Sequence, residues 1–455
     1  MANSRRAGSR PWAMAIGAGS TSAAAAAPHW RRASVPAANV SILIWVLAAV
    51  LAVAGIDVWQ KLARLRTDFG DADDALRMVQ VRELMASGHW FDTTLARIGG
   101  PAGMLSHWSR LLDLPLAILI SFAGLFVPMA TAELTVRIIW PALLLVPLYY
   151  AVTQSVEIVA GRTCALVALG LIALCPSATA QFSVGRIDHH NLQNLAAVAS
   201  ILLLWLNGRV ANAGRWAGLV AGVGIAIGYE ALPLVMIATA AATVWGMLDR
   251  QAAAQMRAYL LWLAATFIAA FAATTPLHRW GDVYCDAISL NMVLLLACGT
   301  GGAALALGRG TAWSTLVRWG VVSGAGLAGA ILYALAEPKC LAGPMGQTPA
   351  ALKSVWLAHV PEAQSWLLFL AEEPHGAVAV ALLFAAAAAF LLNGLRRHFT
   401  PADAFYCAVF IVSLPLAFWQ AKYLPYSSAL AIVPVAVLIG RLPAIASLSA
   451  PTVRL

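Results

Sequence analysis

Gly185-Arg186-Ile187-Asp188-His189-His190-Asn191 stands between two long apolar runs, and the rest of the chain is best read outward from it. A carboxylate and two imidazoles are costly at the end of a membrane span, and ionisable groups at such a place usually mark a pathway or a site. The Asp-x-His spacing also puts two ligands of compatible hardness within reach of one divalent ion. A purely local alternative is an Asp N-cap before Leu192, followed by solvated imidazoles. That leaves the doubled histidine without a role. The stretch is therefore read as a metal-dependent site at the water boundary of a membrane enzyme.

Composition sets the class. The chain has 455 residues, of which 61% are hydrophobic and 11% charged. Soluble domains carry about a quarter charged residues, so this is an all-α polytopic membrane protein. The net charge of +9 fits cytoplasmic loop charges. No basic run interleaved with aromatics points to nucleic acid. The six cysteines form no CxxC pair; Cys164, Cys175, Cys298 and Cys407 fall in apolar runs as packing residues. Cys285 and Cys340 lie in loops on one side, and spacing alone leaves their pairing open.

A span needs roughly 20 mostly apolar residues, and the sequence predicts about twelve. They begin with Val40–Trp59, Val136–Thr153 and Cys164–Phe182. Next come Leu192–Asn207, Ala217–Gly228, Ala231–Leu248, Tyr259–Thr275, Ile288–Leu307 and Val317–Leu335. The last three are Ala377–Leu395, Ala404–Trp419 and Pro425–Gly440. Residues 1–37 read as a basic N-terminal tail, held inside by Arg31-Arg32, with a cleavable signal as the alternative; 38–442 form the membrane domain and 443–455 a short tail.

Leu114–Phe126 is short for a span. Leaving it at the outer surface keeps the loops of Arg162, Arg209, Arg250, Arg309 and Arg396 on the tail's side, as the positive-inside rule requires. The outer face then collects four segments: a first loop of about residues 60–133, the Asp188 stretch, a loop of about 336–375, and the turn Gln420–Tyr426.

Each segment carries polar chemistry. In the first loop Asp68, Asp71, Asp73 and Asp74 precede Arg77. They can complement the dipole of the helix that follows or offer a carboxylate to a cation or an acceptor. Gly99-Gly100-Pro101-Ala102-Gly103 leads into His107-Trp108-Ser109-Arg110; the run is either a connector or a close approach to a ligand. Lys422, beside Tyr423, either snorkels or holds a lipid phosphate as a point charge.

The order of these motifs resembles the GT-C glycosyltransferases, and within them the catalytic subunits of oligosaccharyltransferase of bacterial and archaeal type. Asp71-Ala-Asp-Asp-Ala-Leu-Arg77 is like the family's Asp-x(5)-Arg pattern. Gly185-Arg-Ile-Asp188-His-His190 is similar to the Asp-His-His form of its second motif. His359-Val-Pro-Glu362 sits where the family has Ser/Thr-x-x-Glu, with His359 in place of the hydroxyl residue, and Lys422 sits where it uses an Arg. The resemblance covers about residues 40–440. The family's C-terminal globular domain, with its acceptor-reading Trp-Trp-Asp motif, has no counterpart in it, so the catalytic core is carried over and the protein acceptor is not.

The resemblance implies a GT-C-like bundle with large first and fifth outer loops. It implies a Mn²⁺ or Mg²⁺ ion held by Asp71, Asp188, His190 and Glu362, with Asp71, Asp188 and Glu362 catalytic and Lys422 on the donor phosphate. Arg77, His107, Arg110, Arg186, His189 and Tyr423 are further candidates for substrate contact. The implied activity is inverting transfer from a polyprenyl-phosphate or -diphosphate sugar, at the periplasmic face of a bacterial inner membrane. The acceptor stays open among lipid, polysaccharide and protein. A flippase for lipid-linked saccharides and a non-catalytic assembly partner are the rival readings; a transporter would place charge at the bilayer midplane, whereas here the span interiors are nearly uncharged.

Overall fold

The computed structural model describes residues 40–398 and 400–446. The expectations for residues 1–37 and for most of 443–455 therefore lie outside the described residues. The chain folds as helices α1 (Val40–Leu65), α2 (Ala72–Ser87), α3 (Arg110–Gly124), α4 (Met129–Ala160), α5 (Arg162–Ala173) and α6 (Pro176–Thr179). There follow α7 (His190–Trp205), α8 (Ala213–Ile227), α9 (Leu232–Leu248), α10 (Arg250–Thr274), α11 (Leu290–Leu307) and α12 (Thr315–Ala336). The rest are α13 (Ala350–Val355), α14 (Trp366–Glu372), α15 (Pro374–Arg397), α16 (Pro401–Trp419), α17 (Leu424–Gly440) and α18 (Pro443–Ala446). The only sheet among the described residues pairs β1 (Thr94–Leu95) with β2 (Met104–Leu105), antiparallel.

Eight of the described helices are long and apolar enough to cross a membrane. A ninth arises if α5 and the segment Pro176–Phe182, bent by 77° against it, form one broken span. The twelve expected spans are thus not matched by twelve full-length helices. The shortfall lies at the bent pair and at α7, α8 and α9, which have 16, 15 and 17 residues. The molecule is an all-α integral membrane protein.

Burial grades from the centre outward. In the 20 residues ending α17, 89% of the most apolar window is buried, against 6% for α12. The central helix α17 packs on α4, α5, α6, α7, α15 and α16, while α12 leans on α11 at the rim. The tightest pair, α8 on α10, rests on glycines spaced four apart. A Cβ at Gly214, Gly218 or Gly222 would stand 2.0, 2.3 or 2.7 Å from atoms of α10. Small residues at this spacing let two helix backbones touch where lipid supplies no hydrophobic drive.

The first loop is a folded unit. The Asp71 side chain caps α2, accepting from the Asp73 amide at 2.9 Å, and Gly88 ends that helix in the left-handed conformation. The glycine run closes the β1–β2 hairpin as a connector: Gly103 has φ 71°, and a Cβ there would meet Thr94 at 2.7 Å. Cys285 and Cys340 form a disulfide, joining the α10–α11 loop to the segment after α12.

Candidate active site

The four polar segments meet at one end of the bundle. The start of α2 reaches the Asp188 stretch through Asp74, whose Oδ1 accepts from the backbone amides of Ile187 at 2.6 Å and Asp188 at 3.0 Å. The fifth loop touches the same stretch where His190 Nε2 lies 3.2 Å from Glu362 Oε1. The Ala421 amide donates to the Gln364 carbonyl at 2.8 Å, fixing the Lys422 turn beside Glu362.

Within this junction the acidic groups sort into two sets. Arg186 places its guanidinium among Asp71, Asp188 and the Gln181 amide oxygen, with Asp74 Oδ2 3.7 Å from its Nε. Asp188 is fully buried, and its other oxygen accepts from the His190 amide at 3.2 Å. The second set is Asp73, His190 and Glu362, whose ligand atoms all lie within 4.8 Å of one another. Of the four expected metal ligands, the structure brings His190 and Glu362 together with Asp73. It gives Asp71 and Asp188 to an internal cation, Arg186.

Electrostatics follow this sorting. Burial and the charge of Asp188 push the Asp74 carboxyl up to about 8, and burial raises Asp73 as well. Burial alone would raise Glu362, but the His190 hydrogen bond and charge outweigh it and hold the carboxyl below its usual value. Burial would likewise weaken the charge on Arg186; Asp188, Asp74 and Asp71 override that and strengthen it. The site is therefore a dense, largely buried mixture of opposite charges, with Asp71 and Glu362 at its exposed edge, and burial of this kind strengthens electrostatic effects.

Other expected residues take different places. Arg77 and Arg110 are buried in the loop, both bonded to Asp113, and Arg77 lies 4.6 Å over the Trp108 ring. His107 is half exposed, with Nδ1 3.9 Å from an Asp286 oxygen. The His189 ring lies tilted against those of His190 and Trp108, with centroids 4.3 and 5.6 Å away. Tyr423 is buried, with the Lys422 ammonium 5.5 Å from its ring centre.

A cleft of about 960 Å³ opens beside Glu362. Gln181, Glu362 and Lys422 line it together with apolar residues of α5, α15 and α17, such as Leu171, Leu383 and Ile432. Its lining thus combines a few polar groups with a long apolar wall, the pattern expected for an amphiphile's site.

No family model and no curated protein matches the chain. Solved structures do. The Archaeoglobus fulgidus oligosaccharyltransferase in its apo form matches with TM-score 0.65 at 17% identity, over 88% of this chain and 50% of that one. The archaeal oligosaccharyltransferase AglB from Archaeoglobus fulgidus, in complex with an inhibitory peptide and a dolichol-phosphate, matches with TM-score 0.61 at 15% identity, over the same shares. A complex of the Archaeoglobus fulgidus enzyme with Zn and sulfate matches with TM-score 0.55 at 16% identity, over 88% and 48%. The fold is that of an oligosaccharyltransferase membrane domain. The chain spans about half the length of the proteins it matches.

Sequence reasoning did not single out one group and passed over another. Asp73 is one of four acids in a row, and only its place on α2 separates it from Asp71. Glu230 lies in the short turn between α8 and α9, with Oε1 3.2 Å from His189 Nε2 and Oε2 2.8 Å from Gln193 Nε2. Burial opposes its charge, but the pair with His189 holds it well below the usual carboxylate range. A lone acid in a turn between two apolar runs was the available signal.

Proposed function

We propose that the chain is a membrane glycosyltransferase that moves a sugar or oligosaccharide from a polyprenyl-phosphate or -diphosphate donor to an acceptor at the outer face, with inversion. The observation that carries this reading is the Asp73–His190–Glu362 cluster at the polar end of an amphiphile-sized cleft, on a fold shared with oligosaccharyltransferases. The residues of about 38–442 act as the catalytic domain, and the outer face is the periplasmic side of a bacterial inner membrane.

In this reading the donor's apolar tail lies along α5, α15 and α17, and Lys422 faces the phosphate as a point charge. Asp73, His190 and Glu362 would hold a divalent cation, and their mixed oxygen and nitrogen donors fit Mn²⁺ better than Mg²⁺. Such an ion, when bound, stabilises charge on the leaving phosphate. Arg186 holds the Asp71 and Asp188 carboxylates in place, and Asp188 in turn holds the His190 backbone. Asp71 orients the acceptor and takes up its proton. His107, His189 and Tyr423 border the site and shape it.

The test is direct. Purified protein is incubated with labelled polyprenyl-linked sugars, Mn²⁺ and a membrane extract. Wild type should deplete the donor, and Asp188→Ala or Glu362→Ala should abolish transfer while the protein remains folded and inserted. Donor left intact by wild type, or transfer at a normal rate by Asp188→Ala, rules the reading out.

A further inference from the structure

A second cleft, of about 770 Å³, lies on the opposite side of the acidic junction. Its inner end is Asp71, Asp74 and Arg186, and its outer wall is α1. The two clefts share Leu174, Pro176 and Ala180. The bent α5–α6 segment is thus a partition with a substrate-sized space on each side: one ends on Glu362 and Lys422, the other on Asp71, Asp74 and Arg186. Gln181, which lines the first, accepts a hydrogen bond from Arg186, which lines the second.

The α1 wall shows what the second space can admit. Trp59 is 88% exposed and stands where the apolar turn Val53–Ile56 gives way to the charged turn Asp57–Lys61–Arg64. A tryptophan at such a junction marks the membrane–water boundary. Val53, Ala54 and Ile56, which line the cleft, therefore sit at the depth of the acyl chains. Asp57, Lys61 and Arg64 sit at the depth of the headgroups.

The polar half is built. Asp57 Oδ2 accepts from Ser183 Oγ at 2.7 Å and from the Val184 amide at 2.6 Å. Lys61 Nζ lies 2.7 Å from Asp57 Oδ1. These bonds tie α1 to the segment leading into Gly185 and hold the cleft's upper wall in place. Cations and carboxylates alternate along it, which suits a polar, hydroxyl-bearing headgroup. The apolar lower half would leave a wholly water-soluble acceptor facing hydrocarbon.

We propose that this cleft is the acceptor site, and that its occupant is a membrane lipid whose headgroup carries the accepting hydroxyl. The inference rests on the glycosyltransferase reading above and adds the class of the second substrate. Donor and acceptor lipids enter on opposite sides of the α5–α6 bend, and their heads meet at Asp71, Arg186 and Glu362. The headgroup oxygen bonds to the anomeric carbon. The bond from that carbon to the carrier's phosphate oxygen breaks, its electron pair staying with the phosphate. The hydroxyl proton passes to Asp71.

The test uses full-length protein in vesicles of total membrane lipid, with a labelled polyprenyl-linked sugar, and follows both donor loss and the destination of the label. Ala54→Trp fills the apolar end of the second cleft without touching the charged groups. Wild type should move the label to a second lipid. Ala54→Trp should slow that transfer by roughly ten-fold or more, while binding of the labelled donor is unchanged. Label recovered on added peptides or soluble oligosaccharides, or lipid labelling by Ala54→Trp at the wild-type rate, overturns the lipid-acceptor assignment and leaves donor consumption standing. Donor left intact by wild type overturns the glycosyltransferase reading and this inference with it.

Discussion

Asp113→Ala should loosen the platform that carries the start of α2. The Asp113 carboxylate is fully buried and serves three partners. Its Oδ1 accepts from Arg77 Nη1 at 2.8 Å, and its Oδ2 from Gln80 Nε2 at 2.6 Å and Arg110 Nη1 at 3.0 Å. Arg77 is itself 0% exposed. Truncating the acid leaves one guanidinium wholly buried and a second nearly so, with no counter-charge. Breaking a buried pair from one side costs about 3–5 kcal/mol, most of it the penalty of the stranded charge. At about 1.4 kcal/mol per factor of ten, that is roughly two to three and a half powers of ten in the folded-to-unfolded ratio.

The assay is denaturant unfolding in detergent, with the Arg77→Ala and double variants completing a cycle. The double variant should be less destabilised than the sum of the two singles, because the wholly buried Arg77 charge is then no longer stranded and only the loss at Arg110 remains. Arg110 retains its bonds to the carbonyls of Trp90 and Gln80, so the cycle isolates the Arg77 pair. An Asp113→Ala protein within about 1 kcal/mol of wild type, or strict additivity in the cycle, would refute the stranded-charge argument.

Gly218→Ala should separate α8 from α10, since its Cβ would fall 2.3 Å from the Tyr259 carbonyl. A loss of about 1–3 kcal/mol is expected from such overpacking, read by thermal unfolding; an unchanged midpoint would mean that the helices pack otherwise. Asp73→Asn should raise the Mn²⁺ concentration needed for half-maximal transfer by about ten-fold or more, whereas an unaltered metal titration would remove Asp73 from the ligand set. Asp74 gives a pH signature. Its folded value near 8 lies above the ordinary carboxylate value, so the folded protein holds the extra proton. Its contribution to stability is whole below about pH 4, shrinks as pH rises and is gone above about pH 8. Asp74→Asn should remove this slope from a plot of unfolding midpoint against pH, and an identical slope in both proteins would contradict the assignment.

Much of the class was legible one residue at a time. Eleven charged residues per hundred and repeated apolar runs are local properties, and they establish a polytopic helical membrane protein. The positions of Asp188, His190, Glu362 and Lys422 in the order of spans are also one-dimensional, so the likeness to oligosaccharyltransferases could be read before any coordinates. The number of full-length spans could not. A run such as 164–182 is apolar throughout, yet Pro176 forces a break after Ala173, and the 77° bend that follows depends on what α5 packs against.

Partnerships across long sequence separations belonged to the folded molecule alone. Asp71, Asp73 and Asp74 are neighbours in sequence, but a helix turns by about 100° per residue. Once Asp71 caps α2, Asp73 points toward His190 and Glu362, while Asp74 points toward the amides of Ile187 and Asp188. The phase of that helix is set by packing against α3 and by the Asp113 knot, which no local pattern records. The same is true of Cys285 with Cys340, 55 residues apart, and of Glu230 with His189. Composition and periodicity dictated what kind of molecule this is. Which carboxylate meets which cation was fixed by distances that exist only after the helices have packed.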